Sequence, residues 1–219
     1  MLSIAEENYL KAIFKISERS QKTASTSSIA KRLDTSAASV TDMLKKLSDK
    51  SLINYEKYKG VTLTTEGLRL ATDLIRKHRL WEVFLVKKLR FSWDQVHDIA
   101  EQLEHIKSKE LIQRLDAFLD YPKFDPHGDP IPNAEGKFTI RSQSALSDLH
   151  VGQKGSLVGV KEHKNEFLKY LNKLNVKLGT SIKVLDYVPF DKSMQIEIDG
   201  KEVTTVSDTV ANYLLVKIE

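Results

Sequence analysis

The sequence predicts a mainly α-helical chain that opens with a winged helix-turn-helix and closes with a small β-barrel, and three features predict it. Residues 1–60 set two short capped helices and a strand–turn–strand behind an opening helix; residues 65–121 carry apolar positions at helical spacing; and from about residue 140 those positions alternate instead. At 219 residues the chain suffices for one large domain or two to three small ones with a real core. It has no cysteine, which excludes disulfides and thiolate zinc sites. No apolar run approaches the ~20 residues of a membrane span and the N-terminus lacks a signal-peptide core, so the expectation is a cytoplasmic protein with no membrane partner. The net charge is +4, and all of it sits in the first 60 residues, where eleven Lys/Arg face seven Asp/Glu. A basic N-terminal segment on a balanced chain points to an anionic partner there, most simply nucleic acid.

Taken in order, Ser3 with Glu6 forms a capping box for a first helix to about Glu18, with Leu10, Ile13 and Phe14 on its apolar face. A short helix from about Ser27 to Leu33 follows, then a turn at Asp34-Thr35 and a third helix capped by Ser36, with Val40, Leu44 and Leu47 inward. Two short helices about a tight turn are a helix-turn-helix. Leu52–Tyr55 and Val61–Leu63, around a basic turn ending in Gly60, are a hairpin and supply the wing. Thr64-Thr65-Glu66 starts a long helix to about Leu89. Ser92 with Gln95 caps the next, and Ser108 the one after, with Leu111, Ile112, Leu115 and Leu119 inward. Residues 121–136 hold four of the five prolines and two glycines and form a connector. Beyond it Val158 and Val160, Ile182, Val184 and Val188, Met194, Ile196 and Ile198, Val203, and Leu214, Val216 and Ile218 alternate as strands do. Asp199-Gly200 marks a hairpin, and one helix spans about Lys164–Leu174.

The chemistry concentrates between His78 and His105. His78 and Glu82 stand four apart, and His97, Glu101, Glu104 and His105 form one polar stripe roughly two turns long. Beside it runs an apolar stripe of Val96, Ile99, Ala100, Leu103 and Ile106. Imidazole and carboxylate converging from two helices suit a divalent transition metal, whereas an ordinary amphipathic helix would show the same charges as a solvated face. The apolar stripe, with Trp81 and Trp93, exceeds what one small domain needs, and the surplus is read as a homodimer interface or as core packing.

These residues carry a resemblance. ENYLKAIF, SIAKRLDTSAASVTDMLKKL, RKHRLWEVFL, VHDIAEQLEH, DPHGDPIP and LSDLHVGQKGSLVGV together resemble the metal-dependent repressors of the diphtheria toxin repressor and manganese transport regulator family over nearly the whole chain. The resemblance implies a winged-helix DNA-binding domain over 1–64, a helical metal-binding and dimerisation domain over 65–121, a proline-rich connector over 122–139 and an SH3-like barrel over 140–219. It implies one metal site from Glu101, Glu104 and His105 with Asn8 of the first helix. A second would use His78, Glu82 and His97, completed by His163 or Glu166. Position 101 is Glu, as in the manganese branch, where the iron branch has Cys. Position 8 is Asn where those branches have Asp and Met, and position 11 is Lys where the manganese branch has a Glu ligand.

The expectation is therefore a homodimeric, metal-responsive repressor with no catalytic residues and no small organic substrate. Ser36, Ala38, Ser39 and Thr41 would face the groove, and Lys45, Lys46, Lys57 and Lys59 the phosphates. Imidazole, carboxylate and amide ligands without sulfur accept Mn(II), the favoured ion, or Fe(II), and Co(II), Ni(II) or Zn(II) would substitute in vitro. The alternatives are a di-metal carboxylate enzyme, which needs Glu-x-x-His motifs that the candidate ligands do not form, and a winged-helix regulator sensing an organic ligand.

Overall fold

A computed structural model describes residues 2–20, 23–56 and 60–219, and leaves aside the side chains of residues 19 and 20. Helix α1 spans Ile4–Ser20 and opens on the predicted capping box: the Ser3 amide donates to Glu6 Oε2 at 2.9 Å, and the Glu6 amide to Ser3 Oγ at 3.3 Å. Helix α2 spans Thr26–Arg32, and its cap is Ser25, which accepts from the Ser28 amide at 3.1 Å. Helix α3 spans Ala37–Asp49 and is capped by Ser36, as its sequence requires. Strands β1, Ile53–Glu56, and β2, Gly60–Leu63, pair antiparallel. Ala24 and Val61 exchange backbone hydrogen bonds at 3.0 and 2.9 Å, tying the wing to the chain ahead of α2. Leu10, Ile13, Ile29, Val40, Leu44, Leu47 and Val61 form the core of this winged helix.

Helix α4 runs Thr65–Lys87, α5 His97–Leu103 and α6 Lys109–Phe118. The predicted two-turn polar stripe is not one helix face. Helix α5 stops at Leu103, so Glu104 and His105 lie in the turn beyond it and point by a different rule from His97 and Glu101.

Two compact units share the chain. The first comprises residues up to His78 together with 102–109 and 132–138. Within it Phe138 stacks on Phe14 of α1, ring centroids 5.7 Å apart, and Lys107 Nζ donates to the Leu2 carbonyl at 3.0 Å.

The second unit comprises 79–101, 110–131 and 139–219. Its six-stranded antiparallel sheet is built from β3 (Ser144–Ala145), β4 (Lys154–Val160), β5 (Ser181–Tyr187), β6 (Met194–Ile198), β7 (Glu202–Val206) and β8 (Leu214–Ile218), in the order β3-β8-β4-β5-β6-β7. Helix α7 spans Asn165–Lys173, and a further helix, α8, spans Asp208–Tyr213 between β7 and β8. The alternation rule missed α8, whose cap Ser207 accepts from the Val210 amide at 3.3 Å. Val188 falls past the end of β5. The Asp199-Gly200 turn has both residues at positive φ, 50° and 67°, the twist a two-residue hairpin needs.

Trp93, from the segment between α4 and α5, is buried in the barrel core among residues such as Leu157, Leu168, Leu171, Ile182 and Val216, and so is not surplus apolar surface. Its indole N–H donates to Asn172 Oδ1 at 2.7 Å, and Asn172 in turn donates to Asp94 at 3.1 Å. Large apolar side chains that do remain exposed in this unit include Leu89, Phe91, Leu111, Phe118 and Tyr121.

Candidate metal centre and nucleic-acid interface

Glu82 is the hub of the second unit's polar interior. It sits one turn after His78 on α4 and is 1 % exposed. One oxygen, Oε1, lies 3.4 Å from His97 Nδ1; the other, Oε2, lies 3.6 Å from His127 Nδ1. His127 Nδ1 is also 3.9 Å from Asp125 Oδ1. Glu82, Asp125 and His127, all buried, offer ligand atoms within 4.8 Å of one another.

The connector presents these groups through its own turn chemistry. Asp125 Oδ1 accepts from the amides of His127 at 2.8 Å and Asp129 at 3.0 Å, closing a tight loop. Gly128 adopts φ 88°, and a Cβ there would stand 2.1 Å from the Val158 carbonyl oxygen, so only glycine permits this approach to β4. Arg141 Nη2 donates to the carbonyls of Gly128 at 3.0 Å and Val158 at 2.7 Å, and the Val160 amide donates to the His127 carbonyl at 3.0 Å. Arg79 donates to Asp129 Oδ2 at 2.8 Å and lies 3.5 Å from Asp125.

His127 Nε2 is 2.8 Å from the Trp93 carbonyl, to which it must donate. That bond directs Nδ1 at the carboxylates, where it is buried and makes no hydrogen bond. Burial works against the imidazolium, but Glu82 and Asp125 outweigh it and hold the His127 pKa up at about 9. Asp125 is pushed up to about 7 by burial and by the charges of Asp129 and Glu82. A buried nitrogen without a partner facing two carboxylates, its ring fixed from behind by a carbonyl, is how a metal-binding histidine is held. Ligand atoms on an ion with bonds of about 2.0–2.2 Å stand roughly 3–3.6 Å apart, close to these separations. The donor set fits a divalent cation.

Of the other predicted ligands, His97 lies at Glu82 and 3.6 Å from Glu101, which is exposed on α5. His163 stacks on His127 with ring centroids 4.9 Å apart and is 4.0 Å from Asp129. Glu166 is exposed in the first turn of α7 and does not join the cluster. In the first unit Glu104, 1 % exposed, has Oε2 at 2.6 Å from both His78 Nδ1 and Lys11 Nζ. Burial would raise the Glu104 pKa, but the His78 hydrogen bond and the Lys11 charge hold it below the usual carboxylate range. His105 Nδ1 lies 2.6 Å from Glu7 Oε2. From α1, Glu7 and Lys11 reach this cluster, and the expected Asn8 is half-buried on the same helix. Asp125 and His127 were not predicted as ligands; the available signal was Asp-x-His in a segment of prolines and glycines.

Of the residues expected to meet DNA, Ser36, Ala38, Ser39, Lys45 and Lys46 are exposed and Thr41 is half-buried. Ser36 and Ser39 hydroxyls lie 2.9 Å apart, and Thr41 donates to the Ala37 carbonyl at 2.9 Å. Lys57 and Lys59 lie outside the described residues.

A winged helix followed by helices bearing a histidine–carboxylate cluster and by a small barrel defines a class of metal-responsive DNA-binding regulators. The sequence matches the model of the iron dependent repressor N-terminal DNA binding domain over residues 1–61, that of the iron dependent repressor metal binding and dimerisation domain over 64–133, and that of the FeoA domain over 145–218. It is similar to an uncharacterised HTH-type transcriptional regulator of Methanocaldococcus jannaschii, 34 % identical, covering 54 % of this chain and 95 % of that one. It is also similar to the diphtheria toxin repressor of Corynebacterium diphtheriae, 26 % identical with 92 % of each covered. The fold superposes on a manganese-dependent transcriptional repressor in complex with manganese at TM-score 0.89, 34 % identity, covering 97 % of this chain and 99 % of that one. The chain belongs to the diphtheria toxin repressor family of metal-dependent repressors.

Proposed function

We propose that the chain is a transcriptional repressor that binds its operator when a divalent cation occupies the cluster of Glu82, Asp125 and His127, with His97 and His163 at its edge. One observation carries the assignment of the site: the buried, unbonded Nδ1 of His127 faces two carboxylates. A bound cation would neutralise carboxylates that otherwise repel one another and would fix their spacing. The residues themselves do the rest: Trp93 and β4 hold the imidazole, Arg79 balances Asp125 and Asp129, and Glu82 ties α4 to the connector.

The ion favoured is Mn(II), with Fe(II) second. Hard oxygen ligands without sulfur suit manganese, and relatives described as manganese-dependent repressors support it, while relatives described as iron-dependent support the rival. Zn(II), Co(II) and Ni(II) would bind in vitro. The exposed N-terminal turn of α3, with Ser36, Ala38, Ser39 and Thr41, enters the major groove, and Lys45 and Lys46, with Lys57 and Lys59 of the wing, contact phosphate. Two copies pair through the exposed apolar side chains Leu89 and Phe91 after α4 and Leu111 and Phe118 of α6, and read half-sites about one helical turn apart. No helix among the described residues is long and apolar enough to cross a membrane. A repressor of this kind would act in the cytoplasm, where its operator is. The test is a binding titration against duplex DNA with Mn(II), with Fe(II) under anaerobic conditions, and with chelator; equal binding in all three defeats the metal dependence and favours an organic effector.

A further inference from the structure

The cluster of His78, Glu104 and His105 has the residue types of a second metal site, yet it already contains a cation. Lys11 enters it from α1 with its ammonium 2.6 Å from Glu104 Oε2 and 3.3 Å from His78 Nδ1. All three side chains are buried, at 6 %, 1 % and 4 % exposure. Glu104 Oε2 and His78 Nδ1 are themselves only 2.6 Å apart, so a divalent ion bonded to both would stand within a few ångströms of the ammonium and be repelled by it. His105, 3.8 Å from the other Glu104 oxygen, is engaged by Glu7. An ammonium has donors only, so it supplies no ligand atom to a metal and adds a positive charge beside it.

We propose that Lys11 is a built-in cation that takes the place of a metal ion at His78 and Glu104, so that each chain binds a single divalent cation, at Glu82, Asp125 and His127. Helix α1 is then anchored to the turn after α5 by the Lys11–Glu104 ion pair, and the metal acts elsewhere. The proposal rests on the repressor reading for the Glu82 site, and the two can fail separately.

The test is stoichiometry: full-length protein is dialysed against buffered Mn(II) and the bound manganese counted by mass spectrometry, with circular dichroism confirming the fold of every variant. The wild type takes up one ion per chain, Glu82→Gln takes up none, Glu104→Gln still takes up one, and Lys11→Met takes up two. Lys11→Gln serves if the methionine variant does not fold, and the wild-type and Glu104→Gln counts decide if neither does. Two ions in the wild type, with one lost in Glu104→Gln, overturns the proposal and leaves the repressor reading standing. A single ion lost in Glu104→Gln but kept in Glu82→Gln overturns both the proposal and the Glu82 site, whereas a folded Lys11 variant that stays at one ion overturns the proposal alone. No manganese on the wild type sinks both readings.

Discussion

His127 and Trp93 meet twice: the imidazole Nε2 lies 2.8 Å from the Trp93 carbonyl, and the two rings lie nearly parallel, 12° apart, with centroids separated by 6.1 Å. One residue therefore sets both the tautomer and the plane of the histidine. Trp93 is itself held by Asn172 on α7, so the barrel determines where His127 Nδ1 points.

His127→Ala removes an imidazole whose Nδ1 is buried against Glu82 and Asp125 and makes no hydrogen bond. The expected outcome is loss of Mn(II)-stimulated DNA binding, with the metal-independent, salt-sensitive background unchanged. Trp93→Phe keeps the carbonyl and most of the ring but drops the bond to Asn172, and should weaken Mn(II) binding by roughly 10–100-fold, as for other supporting partners of metal ligands. Wild-type manganese affinity in either variant would move the site away from His127.

Lys45 and Lys46 are exposed on α3, and Lys45 makes only a loose pair with Asp42 at 3.7 Å. Replacing both with Ala should weaken binding to all duplexes alike and flatten the salt dependence by roughly two phosphate equivalents, about 0.9 log unit each. An unchanged slope on a log–log plot against salt means that neither lysine touches the backbone.

Breaking the Lys11–Glu104 pair leaves a buried carboxylate short of one partner. Lys11→Met should cost about 3–5 kcal/mol in urea unfolding, whereas Lys11→Met with Glu104→Leu should cost less, because two apolar groups leave no uncompensated charge. A double variant no more stable than the single one contradicts the burial of this pair.

Gly128→Ala would force a side chain onto the Val158 carbonyl at a φ of 88°. The left-handed conformation alone costs roughly 1–2 kcal/mol, and the clash adds to it. Lower thermal stability together with weaker Mn(II) binding is expected, since Gly128 follows His127 directly. A variant as stable as wild type would mean that the connector does not lie against β4.

Local rules carried most of the fold. Ser3 with Glu6, Ser36 with the Ser39 amide, and Asp199-Gly200 are satisfied within a few residues, so they are visible in sequence. The winged helix and barrel followed from such signals and from the change of period. The metal candidates were legible as residue types on α4 and α5 but not in their grouping. Spacing alone cannot tell that α5 ends at Leu103, which sends Glu104 toward His78 and Lys11 while His97 remains with Glu82. Asp125 and His127 are placed by a loop closed against β4, a contact some thirty residues distant in sequence that no periodicity encodes. Trp93 is ambiguous for the same reason: an apolar residue in a helical region reads as interface or as core, and the partners that decide it lie in strands and in α7, far along the chain.

The place of Trp93 in the barrel core also means that the barrel is not a detachable module. Cutting the chain near residue 140 would strip the indole of its apolar surroundings and Asn172, and would take from His127 and Gly128 the strand and the arginine that hold them. Helical segment, connector and barrel should accordingly melt together in one cooperative transition. Limited proteolysis should find no stable fragment lacking only the last eighty residues, and shortening the gene from its 3′ end should yield a protein that aggregates instead of one that merely loses a domain.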